Sequence, residues 1–274
     1  MCDACVTEAV ARRLGRRGVP AAATAAVAAM GLSAATEAQA QTAARQAASF
    51  SRVVDLTHTL RPDFPTFGGT PAIEIRQTVT LARDGYNGNV LTYFEHVGTH
   101  FDAPVHFSNG PTADQVAPEA LVCPLVVLDV TERAAADADY QATPDDLAAH
   151  ERAHGRVPQG ACVMLRSGWF AHAATPRFRN ADASGALRFP GFRPDLAPIL
   201  LERGAAGVAV DTLSLDHGGS RDFAFHTAWL GAGRWGLECA ANLGGLPPVG
   251  ATIVAGMPKL AGGTGGPGRV FALL

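Results

Sequence analysis

Residues His96-Val97-Gly98-Thr99-His100-Phe101-Asp102-Ala103-Pro104-Val105-His106 set three histidines and an aspartate in the pattern H-x3-H-x-D-x3-H. Gly98 and Pro104 are poor helix residues, so these are not ligands on a helix face. The segment reads as a strand end that turns into a loop. His100 and Asp102 lie two apart and project from the same face of an extended chain. Gly98 permits a tight bend that carries His96 round to the same point, and Pro104 stiffens the exit towards His106. Imidazole and carboxylate are the usual ligands of zinc and similar divalent ions. Val97, Phe101, Ala103 and Val105 interleave with them. Four titratable groups buried in such a setting without partners would be costly, and a bound cation is the simplest way to stabilise the cluster.

On both sides of this segment the pattern alternates between strand and helix. Val53–Thr57 is a strand candidate. Arg61–Pro71 is a Pro/Gly-rich loop, and residues 73–79 alternate apolar and polar as a half-buried strand should. Asp84-Gly85 and Asn87-Gly88 mark a turn, and Asn89–His96 reads as the next strand. Leu125–Val130 is a continuous apolar run, expected to be buried on both faces. Thr143-Pro144-Asp145-Asp146 opens a helix, with Thr143 as cap, Pro144 in the first turn and acids at the positive helix end. Strands follow at Ala161–Arg166, Gly207–Asp211 and Ala251–Ala255. A helix spans Arg193–Glu202, with Leu196, Ile199 and Leu200 on one face and Gly204 closing it. No internal repeat or dividing linker appears after residue 52, which predicts a single α/β domain over 52–274.

The chain has 274 residues, 47% hydrophobic and 17% charged, with a formal net charge of −3. That composition suits a folded core and gives no basic surface for nucleic acid or anionic membrane. The N-terminus differs from the rest. Arg12-Arg13 and Arg16-Arg17 precede an Ala-rich apolar stretch from Val19 to Leu32, then the small-x-small site Ala38-Gln39-Ala40. These features predict an export signal over residues 1–40, with paired arginines that suit the twin-arginine route to the periplasm or beyond. The apolar stretch is too short and Ala-rich to predict membrane insertion. Residues 41–51 read as a polar linker. Of five cysteines, Cys2 and Cys5 fall in the leader. Cys123, Cys162 and Cys239 are an odd number that implies no disulfide framework.

The His96–His106 segment resembles the signature of the cyclase family, which includes bacterial kynurenine formamidases and isatin hydrolases. Asp55-Leu56-Thr57-His58-Thr59-Leu60 is similar to that family's opening strand, and Asp211-Thr212-Leu213-Ser214-Leu215-Asp216 to a later strand-end motif. His226 with Glu238 resembles a second metal-binding pair, and Gly262–Arg269 the Gly-rich closing loop. The resemblance implies a β/β/α barrel-like cyclase fold and commonly a dimer or tetramer. It also implies that His96, His100 and Asp102 bind a first metal, that His226 and Glu238 help bind a second, and that Asp102 and Glu238 bridge. His106 would then be the general acid/base. One or two divalent ions are expected, zinc first and manganese as the alternative.

A divalent ion acidifies water and polarises a carbonyl oxygen, and the resemblance implies that this chemistry hydrolyses a C–N bond in a small aromatic or cyclic amide. Lactone or ester hydrolysis at the same metal, and a metal- or ligand-binding protein without turnover, are the alternatives. Phe64 and Phe67, in the early loop, are the candidate substrate-binding residues. Formamidases of the family carry a Trp-Pro-Gly-Asp-like stretch there, where this chain has Phe64-Pro65-Thr66-Phe67-Gly68-Gly69. The Gly262–Gly266 stretch lacks the Lys-Ser/Thr of a phosphate loop, and no G-x-S-x-G elbow is present, so neither nucleotide binding nor a serine nucleophile is expected.

Overall fold

The structure is a computed structural model that describes residues 50–274. The export segment 1–40, Cys2 and Cys5, and the linker up to residue 49 lie outside the described residues.

The strands are β1 (Val53–Asp55), β2 (Ile73–Val79), β3 (Gly88–Tyr93), β4 (His100–Asp102), β5 (Val122–Asp129), β6 (Gln141–Ala142), β7 (Cys162–Arg166), β8 (Gly191–Phe192), β9 (Gly207–Val210), β10 (Trp235–Glu238), β11 (Ala251–Gly256), β12 (Gly265–Pro267) and β13 (Arg269–Leu273). The helices are α1 (Leu81–Asp84), α2 (Thr131–Ala136), α3 (Pro144–His154), α4 (Leu196–Glu202) and α5 (Ala224–Gly231). Nine strands form one sheet in the order β1-β13-β11-β5-β7-β9-β10-β4-β12. It curls into a half-barrel, the α/β architecture expected.

The sheet centre is parallel, from β5 through β7 and β9 to β10. These strands read as unbroken apolar runs because both faces are covered. Val126 and Leu128 of β5, Val163 and Leu165 of β7, and Val208 and Val210 of β9 join the core beneath α4 and α5. Leu125 and Val127, Cys162 and Met164, and Ala209 face the other way, onto Leu56, Phe101 and Trp235. The odd/even split is the two-residue side-chain period of a strand. Cys123, Cys162 and Cys239 are all buried free thiols.

The helix signals act as their residues dictate. Thr143 Oγ1 accepts a hydrogen bond from the Asp146 amide at 3.2 Å, and Asp146 Oδ2 accepts one from the Thr143 amide at 2.8 Å. This reciprocal cap starts α3. α4 begins at Leu196 rather than Arg193, because the Arg193 amide is drawn to the Ala142 carbonyl at the end of the β6–β8 pair. The turn expected at Asp84-Gly85 holds a single helical turn, α1, closed by Gly85 at φ +81°. The strand expected over Asn89–His96 stops at Tyr93, and Glu95 turns aside so that its carboxylate accepts from the Thr264 amide and hydroxyl. His150 of α3 is buried, only 8% exposed.

Candidate metal centre

β4 carries the heart of the His/Asp segment, between β10 and β12. Glu238 is the register partner of His100, and Gly236 that of Asp102. In an antiparallel pair, directly opposed side chains share a face, so this register sets Glu238 beside His100. A Cβ at Gly236 would approach Asp102 Oδ2 to 3.4 Å and the Leu215 side chain to 2.8 Å, so only glycine there leaves the Asp102 carboxylate its space. The Gly-rich closing loop contributes more than a turn. Its residues Gly265–Pro267 form the edge strand β12, paired with β4 on the other side. Gly98 has φ +66°, the bend expected between His96 and His100.

These elements bring together His96, His100, Asp102, His106, His226 and Glu238. His96, Asp102 and His106 offer ligand atoms all within 4.8 Å of one another, and so do Asp102, His226 and Glu238. Asp102 belongs to both groups. His100 Nε2 stands 3.3 Å from Glu238 Oε2 and 3.6 Å from Asp102 Oδ1. The His106 ring stacks on that of His96 with centroids 3.8 Å apart.

Hydrogen bonding reveals what these imidazoles are prepared to hold. The Thr264 hydroxyl donates to Glu95 Oε2 at 2.5 Å, so towards His96 Nε2, 3.0 Å away, it can only accept. A neutral His96 therefore keeps its proton on Nε2 and turns the Nδ1 lone pair towards Asp102 Oδ1, 2.8 Å away. His100 Nδ1 donates to the Gly98 carbonyl at 2.9 Å, which leaves its Nε2 lone pair facing Glu238. His226 Nδ1 donates to Asp216 Oδ2 at 2.6 Å, which leaves Nε2 3.0 Å from Glu238 Oε1 and 3.4 Å from Asp102 Oδ2. Three imidazole lone pairs thus converge on two carboxylates. His100 Nε2 and Asp102 Oδ2 are buried with no hydrogen-bond partner. Acceptors gathered against acceptors fit a divalent cation, and each histidine already has its other nitrogen anchored as a ligand's should be.

The same charge balance appears in the titration behaviour. Burial alone would lower the pKa of His226, but its contacts with Asp102, Asp216 and Glu238 outweigh this and hold it well above the ordinary imidazole value. His100 is likewise raised despite its burial, by Cys239, Glu238 and Asp102. In the absence of a cation the excess negative charge draws protons to these rings. His106 differs: burial lowers its pKa, with Asp102 opposing.

Three supporting residues escaped the sequence reading as site residues. Asp216 anchors His226, Thr264 anchors His96, and the Leu215 amide donates to Glu238 Oε1 at 2.9 Å. All three fall within stretches singled out for resemblance, Leu215 and Asp216 in Asp211–Asp216 and Thr264 in Gly262–Arg269, which was the only available signal.

A cavity of about 580 Å³ opens over the cluster. His96, His100, His106, His226 and Glu238 form its polar end, and Phe67, Phe94, Phe107, Leu213 and Phe223 its apolar walls. Phe67 and Phe107 meet Phe223 with ring centroids 5.8 and 5.7 Å apart. No lysine or arginine lines the cavity among the described residues. Phe67 therefore lies where a substrate contact was expected. Phe64 does not: it is 3% exposed and packs in the core against His58 and Phe178, outside the cavity. The same loop supplies both, but only one ring escapes burial. His58 is neutral structural packing, its pKa pushed down to about 4 by burial and by Arg61.

Comparison with known proteins agrees with this geometry. The Cyclase family model matches residues 54–217. The isatin hydrolase of Roseibium aggregatum is 33% identical over 241 residues, 81% of this chain and 91% of that protein. The kynurenine formamidase of Salinibacter ruber is 26% identical, over 79% of this chain and 95% of its own length. Isatin hydrolase A from Labrenzia aggregata, solved with benzyl benzoate bound, superposes with a TM-score of 0.77 at 35% identity, covering 81% of this chain and 93% of that one. With β4 at the centre of its signature segment, its candidate ligand groups converging and its fold shared with these hydrolases, the chain belongs to the cyclase family.

Proposed function

We propose that this chain is a metal-dependent hydrolase that opens the C–N bond of a small, uncharged aromatic amide, a ring-fused cyclic amide above all. The observation that carries this reading is the convergence of three imidazole lone pairs and two carboxylates at the end of an aromatic-walled cavity. His96, His100, Asp102, His226 and Glu238 would hold the metal. A divalent ion bound there supplies Lewis acidity, which polarises the amide carbonyl and acidifies water.

The protein's own groups do the rest. Phe67, Phe107 and Phe223 hold the arene by stacking and exclude bulk water. His106, on the cavity wall and next to the ligands, takes the proton from the attacking water and returns it to the leaving nitrogen. The C–N bond breaks, the freed aryl amine keeps the proton returned by His106, and the new carboxylic acid releases the water's second proton to solvent as it becomes a carboxylate. N-formylkynurenine carries an ammonium and a carboxylate. Among the described residues no lysine or arginine lines the cavity to pair that carboxylate, and burying it unpaired would be expensive.

Hydrolysis of isatin, N-formylkynurenine and an aryl lactone by purified protein, before and after chelation and metal add-back, tests the reading. Isatin turnover that is lost to chelator and restored by metal supports it. Faster lactone turnover would favour the ester reading. Zinc is the ion we propose, with manganese the alternative that the same donors also suit; metal analysis of the purified protein distinguishes them.

Export and assembly are part of the proposal. Cleavage near Gln41 is expected, to be read from the mature N-terminus by mass spectrometry. A homo-oligomer, dimer or tetramer, is supported by the β2–β3 ribbon, which pairs with no other strand among the described residues and exposes Val90, Leu91 and Tyr93. A two-stranded ribbon is marginal alone, and a second copy would cover it. Light scattering during gel filtration reads the mass directly.

A further inference from the structure

A second cavity, of about 480 Å³, lies away from the metal centre against the inner face of α3. His150 and His154 sit one turn apart on that helix and both line it. Residues four apart in a helix are neighbours on one face. The two rings here have centroids 4.9 Å apart, tilted by 53°. His154 is exposed, whereas His150 is 8% exposed and its Nε2 is buried with no hydrogen-bond partner. Leaving such a nitrogen unpaired costs stability unless something fills it.

The surroundings favour a cation. Burial and the neighbouring His154 lower the pKa of His150, which keeps it neutral with a lone pair to offer. Two guanidinium groups border the cavity, but neither is free. Arg133 is paired with Asp146, and Arg166 with Asp129. Glu132, which also lines the cavity, makes no ion pair among the described residues and leaves the lining with a net negative charge.

We propose that His150 and His154 form an accessory site for a borderline divalent ion of the zinc type. The two imidazoles supply two coordination positions and water supplies the rest. Imidazole suits zinc, nickel and copper, whereas magnesium, calcium and manganese prefer oxygen. A bound ion would staple the last two turns of α3 and satisfy the orphaned nitrogen. The site is distinct from the metal centre and does not rest on the hydrolase reading.

The test uses the full-length protein with its catalytic metal in place, titrated with zinc and compared with His154→Ala. His154 is exposed, so this variant should fold normally. Bound zinc is counted by elemental analysis after equilibrium dialysis, and thermal unfolding is followed with and without added zinc. The wild type should take up one zinc per chain more than His154→Ala, and added zinc should raise its Tm but not the variant's. Hydrolysis should be equal in the two. Equal zinc uptake by both proteins, or a Tm shift that survives in His154→Ala, would overturn the proposal, as would failure of the wild type to bind extra zinc.

Discussion

Asp216 stands at once at the start of a helix and behind His226, one of the histidines proposed to hold the metal: its Oδ2 accepts from His226 Nδ1 at 2.6 Å, while its two oxygens accept from the Phe225 and His226 amides at 2.9 and 3.1 Å. The carboxylate satisfies amides that the first turn of α5 leaves open, and its charge suits that helix end. It thereby holds the His226 ring with Nε2 aimed at Asp102 and Glu238. Asp216→Asn should keep the fold but let the ring turn. Outer partners of ligating histidines are worth about 10–100-fold in metal affinity. Competition with a fluorescent chelator should show a loss of that size. Unchanged affinity would mean that helix packing alone orients His226.

The acid/base role proposed for His106 predicts that catalysis and metal binding separate. His106→Ala should retain the metal content of the wild type while turnover falls by about 10²–10⁴-fold, the usual worth of a positioned acid/base. Partial rescue by added imidazole would strengthen the assignment. Metal lost together with activity would identify His106 as a ligand, which its proximity to His96 and Asp102 makes a concrete rival.

Phe223 and Phe67 test the aromatic wall. Phe223→Ala removes the ring that both Phe67 and Phe107 touch. An aromatic contact worth about 0.5–1.5 kcal/mol beyond its buried area predicts a rise in KM of roughly three- to tenfold or more for an aryl amide, with kcat less affected. A small acyclic formamide should lose little. Equal losses for both substrates would mean that the variant has disturbed the metal end of the cavity.

Gly98 tests the bend. At φ +66° an L-residue costs about 1–2 kcal/mol, and a Cβ there would lie 2.7 Å from Leu60 Cδ1. Gly98→Ala should lower stability by at least that strain and weaken metal binding, because the Gly98 carbonyl is the acceptor that orients His100. Chemical denaturation of the apo protein isolates the first effect, and metal titration the second.

Asp211 should make stability fall with rising pH. It is fully buried, and burial raises its carboxyl to about 6 from an ordinary value of 3.8, against hydrogen bonds from Ser167 and Phe170. Between those values the folded chain holds a proton that the unfolded chain has released. The stabilisation is complete below 3.8 and is lost as pH rises through 6. From pH 5 to pH 7 the wild type should lose roughly 1 kcal/mol relative to Asp211→Asn, measured by urea unfolding of both proteins at each pH. A constant difference would show that Asp211 ionises as freely when folded as when unfolded.

The candidate ligands legible from spacing alone were those close together in the chain, whereas His226 and Glu238 rested on the family resemblance. His96, Gly98, His100 and Asp102 lie within seven residues, and strand periodicity plus one flexible glycine suffice to converge them. The apolar run of β5 announced burial on both faces for the same reason, since side-chain alternation is a property of the strand itself. The cap at Thr143 was likewise a short-range matter of four residues.

What tertiary structure alone decided is everything that depends on which strand lies beside which. The register that sets Glu238 against His100 joins positions 138 residues apart, and the Thr264 hydroxyl that orients His96 comes from 168 residues away. Nothing in the local sequence encodes such pairings, because they follow from the packing of the whole sheet. The fates of Phe64 and Phe67 make the same point within one loop. They are three residues apart and of one chemistry, yet Phe64 is sealed between His58 and Phe178 while Phe67 is left on the cavity wall. Hydrophobicity favours burial of both rings equally; only the shape of the finished core determines which one it has room for.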